Sequence, residues 1–247
     1  MGNFIQTYET TAEYNTAEPN LVLPNVSLTN DDMEVHYNKW VDPYNGHAYV
    51  DLGLSSGTLW ATMNVGANSE TDYGLYFAWG ETQGYTADQV GNGEGQKAFT
   101  WKDYKYGNGT SSPGDAGMTK YNSTDGKTVL DIEDDAARAN WGGRWHMPTR
   151  AQFKELFDGT NSEWTTVKGV NGYKFTSKAD SSKYVFFPGA GSASNGNVEI
   201  HDGGCVFGNC LSDLDDMNSC DIGFNNMFVV LADGYRFVGH SVRGVIG

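Results

Sequence analysis

The side chains with the most reactive chemistry in this 247-residue chain sit near one end. The stretch GGCVFGNCLSDLDDMNSCD, residues 203–221, holds all three cysteines, Cys205, Cys210 and Cys220, among the aspartates Asp213, Asp215, Asp216 and Asp221. Thiolates with a histidine can hold zinc, and clustered carboxylates can hold calcium. The spacing C-x4-C-x9-C is irregular for structural zinc, which favours close Cys pairs completed by a fourth Cys or His, even with His201 or His240 at hand. DLDD lacks the D-x-D-x-D-G calcium loop, so the aspartates are expected to form a solvated acidic rim. A disulfide is expected no more than a metal. The opening MGNFIQTYETTAEYN has neither a basic start nor an apolar core, so no secretion signal is visible, and cytosolic thiols stay reduced. No metal and no other cofactor is expected.

Histidine chemistry is equally sparse. His36, His47, His146, His201 and His240 form no H-E-x-x-H pattern and have no Ser or Cys partner suggested by spacing, so no catalytic residue is expected. His146, in WHMP, reads as a packed side chain, and Trp60, Trp79, Trp141 and Trp145 as core. Glu18-Pro19-Asn20 matches the EPN sugar-binding triplet of animal lectins, but with no Trp-Asn-Asp in the tail it reads as coincidence.

The elements that must position these residues come from a glycine-rich, proline-poor chain, 32 Gly against 6 Pro, which favours turns and short strands over long helices. The net charge of −15 repels phosphate backbones, so nucleic acid is not an expected partner, and no apolar run is long enough for a membrane span. Residues 1–45 read as an extended attachment segment with short apolar runs at Leu21–Leu23, Val26–Leu28 and Met33–Tyr37. From Gly46 the pattern thickens into one domain, 46–247, opening with two strands around Ser55-Ser56-Gly57. Residues 84–128 are small and polar with isolated aromatics, the pattern of a long surface excursion. Helices are expected at 133–140 and 149–159, the second with Thr149 and Gln152 as a capping box, an apolar face of Phe153, Leu156 and Phe157, and Gly159 as its stop. A hairpin is expected around Asn171-Gly172, and Ile222 and Phe224 alternate with Asp221, Gly223 and Asn225 as in a strand with one buried face.

WGGRWHMPTRAQFKELF, with YVDLGLSSGTLWATMNVG, YFAWGET, YVFFPGAG and the closing YRFVGHSVRGV, resembles the FISUMP-like major-paralogous-domain group over roughly residues 46–247. That group is a branch of the C-type lectin fold related to formylglycine-generating-enzyme-like domains. The resemblance implies an α+β fold of C-type lectin-like type, with two helices and several small antiparallel sheets. Some members of this fold are variable proteins of diversity-generating retroelements, in which adenine mutagenesis turns AAY codons into NNY. Such codons cannot give Lys, Glu, Gln, Trp or Met. Residues 1–199 contain all of these types, whereas residues 200–247 contain no Lys, Glu, Gln or Trp. Met217 and Met227 then mark unmutated positions, and the cysteines are residues that mutagenesis sampled. The family frame resembles Gly204, Leu211, Ile222, Phe224, Val229, Tyr235-Arg236, Gly239 and Ser241-Val242-Arg243 here. Val206-Phe207-Gly208-Asn209, Ser219-Cys220 and Gly244 depart from it.

The resemblance implies ligand binding without catalysis, through an exposed C-terminal face, hypervariable over about 203–240. Its ligand-facing positions are Cys205, Ser212, Asp215, Asn218, Asp221, Gly223, Asn225, Phe228, Val230, Ala232, Asp233, Tyr235, Phe237, Val238 and His240. Ile222, Phe224, Val229 and Val242 are expected to point inward, and Phe228, Tyr235 and Phe237 to dominate binding as large rigid aromatics. The implied partner is a host-cell surface protein or glycan. TYETTAEYN and PNVSLTNDDMEVHYN resemble leader segments of Bacteroidetes phage structural proteins, which implies attachment to phage tail or particle proteins and a place on a virion, or else on a bacterial cell surface. The alternatives are a formylglycine-generating-type enzyme, which would need a reactive cysteine pair, and a fixed bacterial adhesin.

Overall fold

The computed structural model describes residues 41–112, 114, 117–200 and 203–247, with the backbone alone for 41–43. The expected strands at Leu21–Leu23, Val26–Leu28 and Met33–Tyr37, the Glu18-Pro19-Asn20 triplet and nearly all of the attachment segment lie outside the described residues, as do His36 and His201. Folded sheet begins earlier than Gly46. β1 (Val41–Tyr44) pairs with β2 (His47–Asp51) around Asn45-Gly46, both at positive φ. β3 (Leu59–Asn64) follows the turn at Ser55–Gly57, as the sequence suggests.

Among the described residues the structure is mixed α+β, built mostly from small antiparallel sheets with two helices. α1 (Ala136–Trp141) is shorter than expected, because Ile132–Asp134 forms a separate 3-10 turn. The Asp135 carboxylate caps α1 by accepting from the Arg138 amide at 2.9 Å. α2 (Arg150–Gly159) carries the expected capping box: the Gln152 amide donates to Thr149 Oγ1 at 3.1 Å, and Thr149 N–H donates to Gln152 Oε1 at 2.9 Å. Such a cap stabilises by about 1 kcal/mol. Gly159 does not stop α2 from beyond its end. It is the last helical residue, and it packs against Leu54, whose Cδ2 a Cβ there would meet at 2.5 Å.

β4 (Thr160–Val167), β5 (Val170–Ser177) and β6 (Tyr184–Pro188) form a three-stranded sheet. The β4–β5 hairpin exists, but it turns at Lys168-Gly169, with φ of 49° and 84°, and not at Asn171-Gly172. Two adjacent left-handed residues are what a tight primed turn needs. Gly172 sits within β5, where a Cβ would meet the Phe187 carbonyl at 2.3 Å. β7 (Ser192–Ser194) and β8 (Asn197–Glu199) make a small ribbon. β9 (Gly203–Leu211), β10 (Asn218–Asn225) and β11 (Val229–Tyr235) form a meander with β10 in the centre. β12 (Arg243–Ile246) returns to pair with β3, giving the order β1-β2-β3-β12.

Two apolar cores result. One gathers Trp60, α2, β5, β6 and the inner face of β9–β10. The other is built on Trp79, Trp141 and Trp145, as expected, and also on Phe99, Trp101, Tyr104, Tyr106 and Tyr121. The 84–128 segment is therefore a surface excursion only in part: 108–112 and 123–128 are exposed, but Phe99, Trp101, Tyr104, Tyr106 and Tyr121 are core residues, held by a backbone without regular periodicity.

Candidate functional site

β10 alternates as its sequence suggests. Ile222 and Phe224 are buried against the Trp60 core, with Val206 of β9 and partly buried Val229 and Leu231 of β11 beside them. Val242 is also fully buried. Strand geometry sends Asp221, Gly223 and Asn225 to the opposite face. There the register sets Gly223 opposite Cys205 and Val230, and Asp221 opposite Phe207 and Ala232.

The expected ligand-facing residues divide into three groups. Phe228, Val230, Asp233 and Tyr235 are exposed, and Cys205, Gly223, Ala232, Phe237 and Val238 are half-exposed. Tyr235 and Phe237 stack at 5.7 Å, and Trp101 meets them at 5.8 and 4.7 Å. Asp233 is engaged by the Arg150 guanidinium at the start of α2. The second group shapes turns. Asp215 Oδ1 accepts from the amides of Met217 and Asn218 at 2.8 and 2.9 Å and from Asn218 Nδ2 at 2.9 Å. Asn225 Oδ1 accepts from Met227 N–H at 2.8 Å. The third group is a correction: Ser212, Asp221 and His240 are buried and do not face outward. Burial follows from the meander, because the outer face of β10 at Asp221 is covered by the return segment that carries His240.

The acidic rim forms only in part: Asp213 is exposed and Asp215 and Asp216 are half-buried. Asp216 accepts from the Ser123 amide at 2.7 Å, Asp215 holds the β9–β10 turn, and Asp221 lies inside. The cysteines are resolved differently from expectation too. Cys210 and Cys220 form a disulfide across β9 and β10, their Cα atoms 5.7 Å apart, and Cys205 remains a free thiol. The adjacency of the two strands supplies that approach, which sequence spacing does not reveal. The bond lies where the β9–β10 register shifts, between Ser219 and Asp221.

Cys205, Asp221 and His240 converge, with their donor atoms within 4.8 Å of one another. The Asp221 and His240 side chains are 2% and 6% exposed. His240 Nδ1 and Asp221 Oδ2 are 3.3 Å apart but poorly aligned, and His240 Nδ1 and Asp221 Oδ1 have no hydrogen-bond partner. Phe207 packs on the imidazole, with centroids 4.5 Å apart. The His240 backbone is pinned to Phe77 by reciprocal amide–carbonyl bonds of 3.0 Å. Burial, reinforced by the Asp221 charge, pushes the Cys205 thiol up to about 12. That is the opposite of what a thiolate nucleophile needs.

The buried arginines at the end of the chain fix this face. Arg236 donates to the Tyr104 hydroxyl and to the carbonyls of Tyr121, Asp216 and Lys120 at 2.8–3.0 Å, and lies 4.8 Å from the Trp79 ring centroid. Arg243 donates to Asn64 Oδ1, the Ala61 carbonyl and the Phe186 carbonyl. Sequence reasoning missed Trp101, Tyr104 and Tyr121 as supports. The available signal was the density of aromatics within a polar segment. Among the described residues, no helix is long and apolar enough to cross a membrane. Comparison with protein-family models, with curated proteins and with solved structures finds no match.

Proposed function

We propose that the chain is a C-type lectin-like binding protein whose C-terminal sheet is diversified by a retroelement and presents a ligand-facing surface on a phage particle or bacterial cell. The observation that carries this reading is a coincidence of two boundaries. The segment lacking Lys, Glu, Gln and Trp, residues 200–247, contains the whole β9–β10–β11 meander. Within that meander the exposed positions include Phe228 in the β10–β11 turn and Val230 and Tyr235 on β11, at 45%, 42% and 51% exposure, while Ile222 and Phe224 of β10 are packed beneath. Exposed apolar and aromatic side chains on a rigid sheet suit recognition of a protein or glycan surface. Arg236 and Arg243, the two arginines of the segment, are both buried, which suits a constant frame beneath variable positions. The partner is a host-cell surface protein or glycan.

The test is genomic and then biochemical. The locus should carry a reverse transcriptase and a near-identical repeat of the tail that differs only at adenines, with Met217 and Met227 at unmutated codons. Sister isolates should differ at Phe228 and Val230 but not at Ile222 or Arg236. A locus without the repeat, or variation spread evenly over buried and exposed positions, overturns the reading.

A further inference from the structure

We propose that Cys205, Asp221 and His240 form a zinc-class metal site in the outer face of the C-terminal sheet. The three residues come from β9, β10 and the segment before β12, so only the folded meander brings them together. They offer one sulfur, one oxygen and one nitrogen, a set that suits borderline-soft Zn2+. Metal–ligand bonds of 2.0–2.3 Å place tetrahedral ligand atoms about 3.3–3.6 Å apart. The His240 Nδ1–Asp221 Oδ2 separation is already 3.3 Å, and all three donors lie within 4.8 Å, so small side-chain rotations complete the geometry.

The second observation is unmet polarity. Among the described residues, seven buried side-chain polar atoms lack a hydrogen-bond partner, and two of them, Asp221 Oδ1 and His240 Nδ1, belong to residues of this cluster. Leaving such atoms unsatisfied costs about 1–3 kcal/mol each, so their concentration at one point calls for a ligand. The surroundings leave room on one side. At Gly234 a Cβ would lie 2.5 Å from Asp221 Oδ2 and 3.0 Å from His240 Cε1, so any side chain there would crowd two of the ligands. Phe207 walls the imbedded side, while half-exposed Cys205 and Gly223 leave the outer side accessible. Three protein ligands leave a fourth position for water or for a donor group of a bound partner. The proposal is independent of the retroelement reading, since it rests on geometry alone.

The experiment uses the full chain with its disulfide intact. Protein stripped with EDTA is dialysed against Zn2+ and analysed for bound metal, and Co2+ is then used as a spectroscopic probe. One equivalent of zinc per chain is expected, with a sulfur-to-cobalt charge-transfer band and the visible absorption of tetrahedral Co2+. Cys205→Ser should abolish the charge-transfer band, and His240→Gln should weaken zinc binding by at least about tenfold. No retained zinc, or a charge-transfer band that survives Cys205→Ser, overturns the proposal. Because His240 is buried and its variant can unfold, the unmutated chain supplies a second measurement. Alkylation of Cys205 by iodoacetamide should slow at least about tenfold when Zn2+ is added and recover with EDTA. A rate indifferent to zinc also overturns the proposal.

Discussion

Arg236 Nε donates to the Tyr104 hydroxyl across 3.0 Å, tying the end of β11 to a segment more than a hundred residues earlier in the chain. The same hydroxyl donates onward to the Trp79 carbonyl at 2.8 Å, so one phenol joins the tail, the irregular aromatic segment and the tryptophan core. Among the described residues no carboxylate joins the hydrogen-bond set of Arg236: the acceptors are carbonyls and a hydroxyl, with aromatic faces around them. A buried guanidinium satisfied in this way is an organising centre, because every acceptor must be in place at once.

Arg236→Ala is therefore expected to destabilise the chain by more than about 3 kcal/mol, since it strands several carbonyls in the interior. Tyr104→Phe removes one shared hydroxyl and should cost about 1–3 kcal/mol. Urea unfolding of both variants, followed by tryptophan fluorescence, checks the ranking. Equal and small losses would show that Arg236 organises nothing.

The exposed positions should behave in the opposite way. Phe228→Ala and Val230→Ala are expected to change stability by no more than about 0.5–1 kcal/mol while removing ligand affinity. Ile222→Ala, next to the face position Gly223 but pointing inward, should cost about 2–5 kcal/mol. Asp221 belongs with the buried set, so an alanine there tests the interior and not the face. Thermal melts of the four variants read the split directly.

The Cys210–Cys220 disulfide closes a short loop between neighbouring strands, with a sequence separation of 10. In the chain-entropy picture a loop of that size contributes about 2–3 kcal/mol. For a domain of this size that is roughly 5–10 °C of melting temperature. Dithiothreitol should lower the melting temperature of the unmutated chain by this amount and leave the Cys210→Ser, Cys220→Ser double variant, already lowered, unchanged. A reductant effect of similar size in the double variant would count against the assignment.

A fourth prediction concerns acid. Burial alone would raise the Asp134 carboxyl, but hydrogen bonds from Lys120, Tyr106, Tyr121 and Lys105 hold it well below the usual carboxylate range. Lys120 Nζ, Tyr121 Oη and Lys105 Nζ lie 2.5, 2.6 and 2.9 Å from its oxygens. A depressed folded value means that the stabilisation is complete above the unfolded pKa, about 4, and is lost progressively as the pH falls below it. Asp134→Asn should flatten the loss of stability below about pH 4, measured by urea midpoints across a pH series. An unchanged acid limb would place the acid sensitivity elsewhere.

How much of this was legible in advance follows from how local each signal is. Thr149 and Gln152 announce a helix start three residues apart, and the structure builds that cap. The alternation of Ile222 and Phe224 announces a half-buried strand for the same reason. At Asp221 and His240 polarity suggests exposure, while burial there is decided by a covering segment some twenty residues away in sequence. Tyr104 and Tyr121 carry no periodic signal of burial, only the density of aromatics around them: tertiary contacts, among them those of Arg236, hold their segment. The hairpin signal at Asn171-Gly172 lost to Lys168-Gly169 because register is set by packing, Phe175 against Val185 and Phe187, more than by turn composition.

The last strand, β12, lies against β3, and Arg243 reaches Asn64 across 179 positions of sequence. The meander of β9, β10 and β11 is by contrast made of immediate neighbours. Local hairpins close quickly, whereas a contact of such long range must wait for most of the polypeptide to be in place. The meander is thus expected to assemble early and to be locked down last, like a cassette held by a latch that engages only after everything between its two halves has been accommodated.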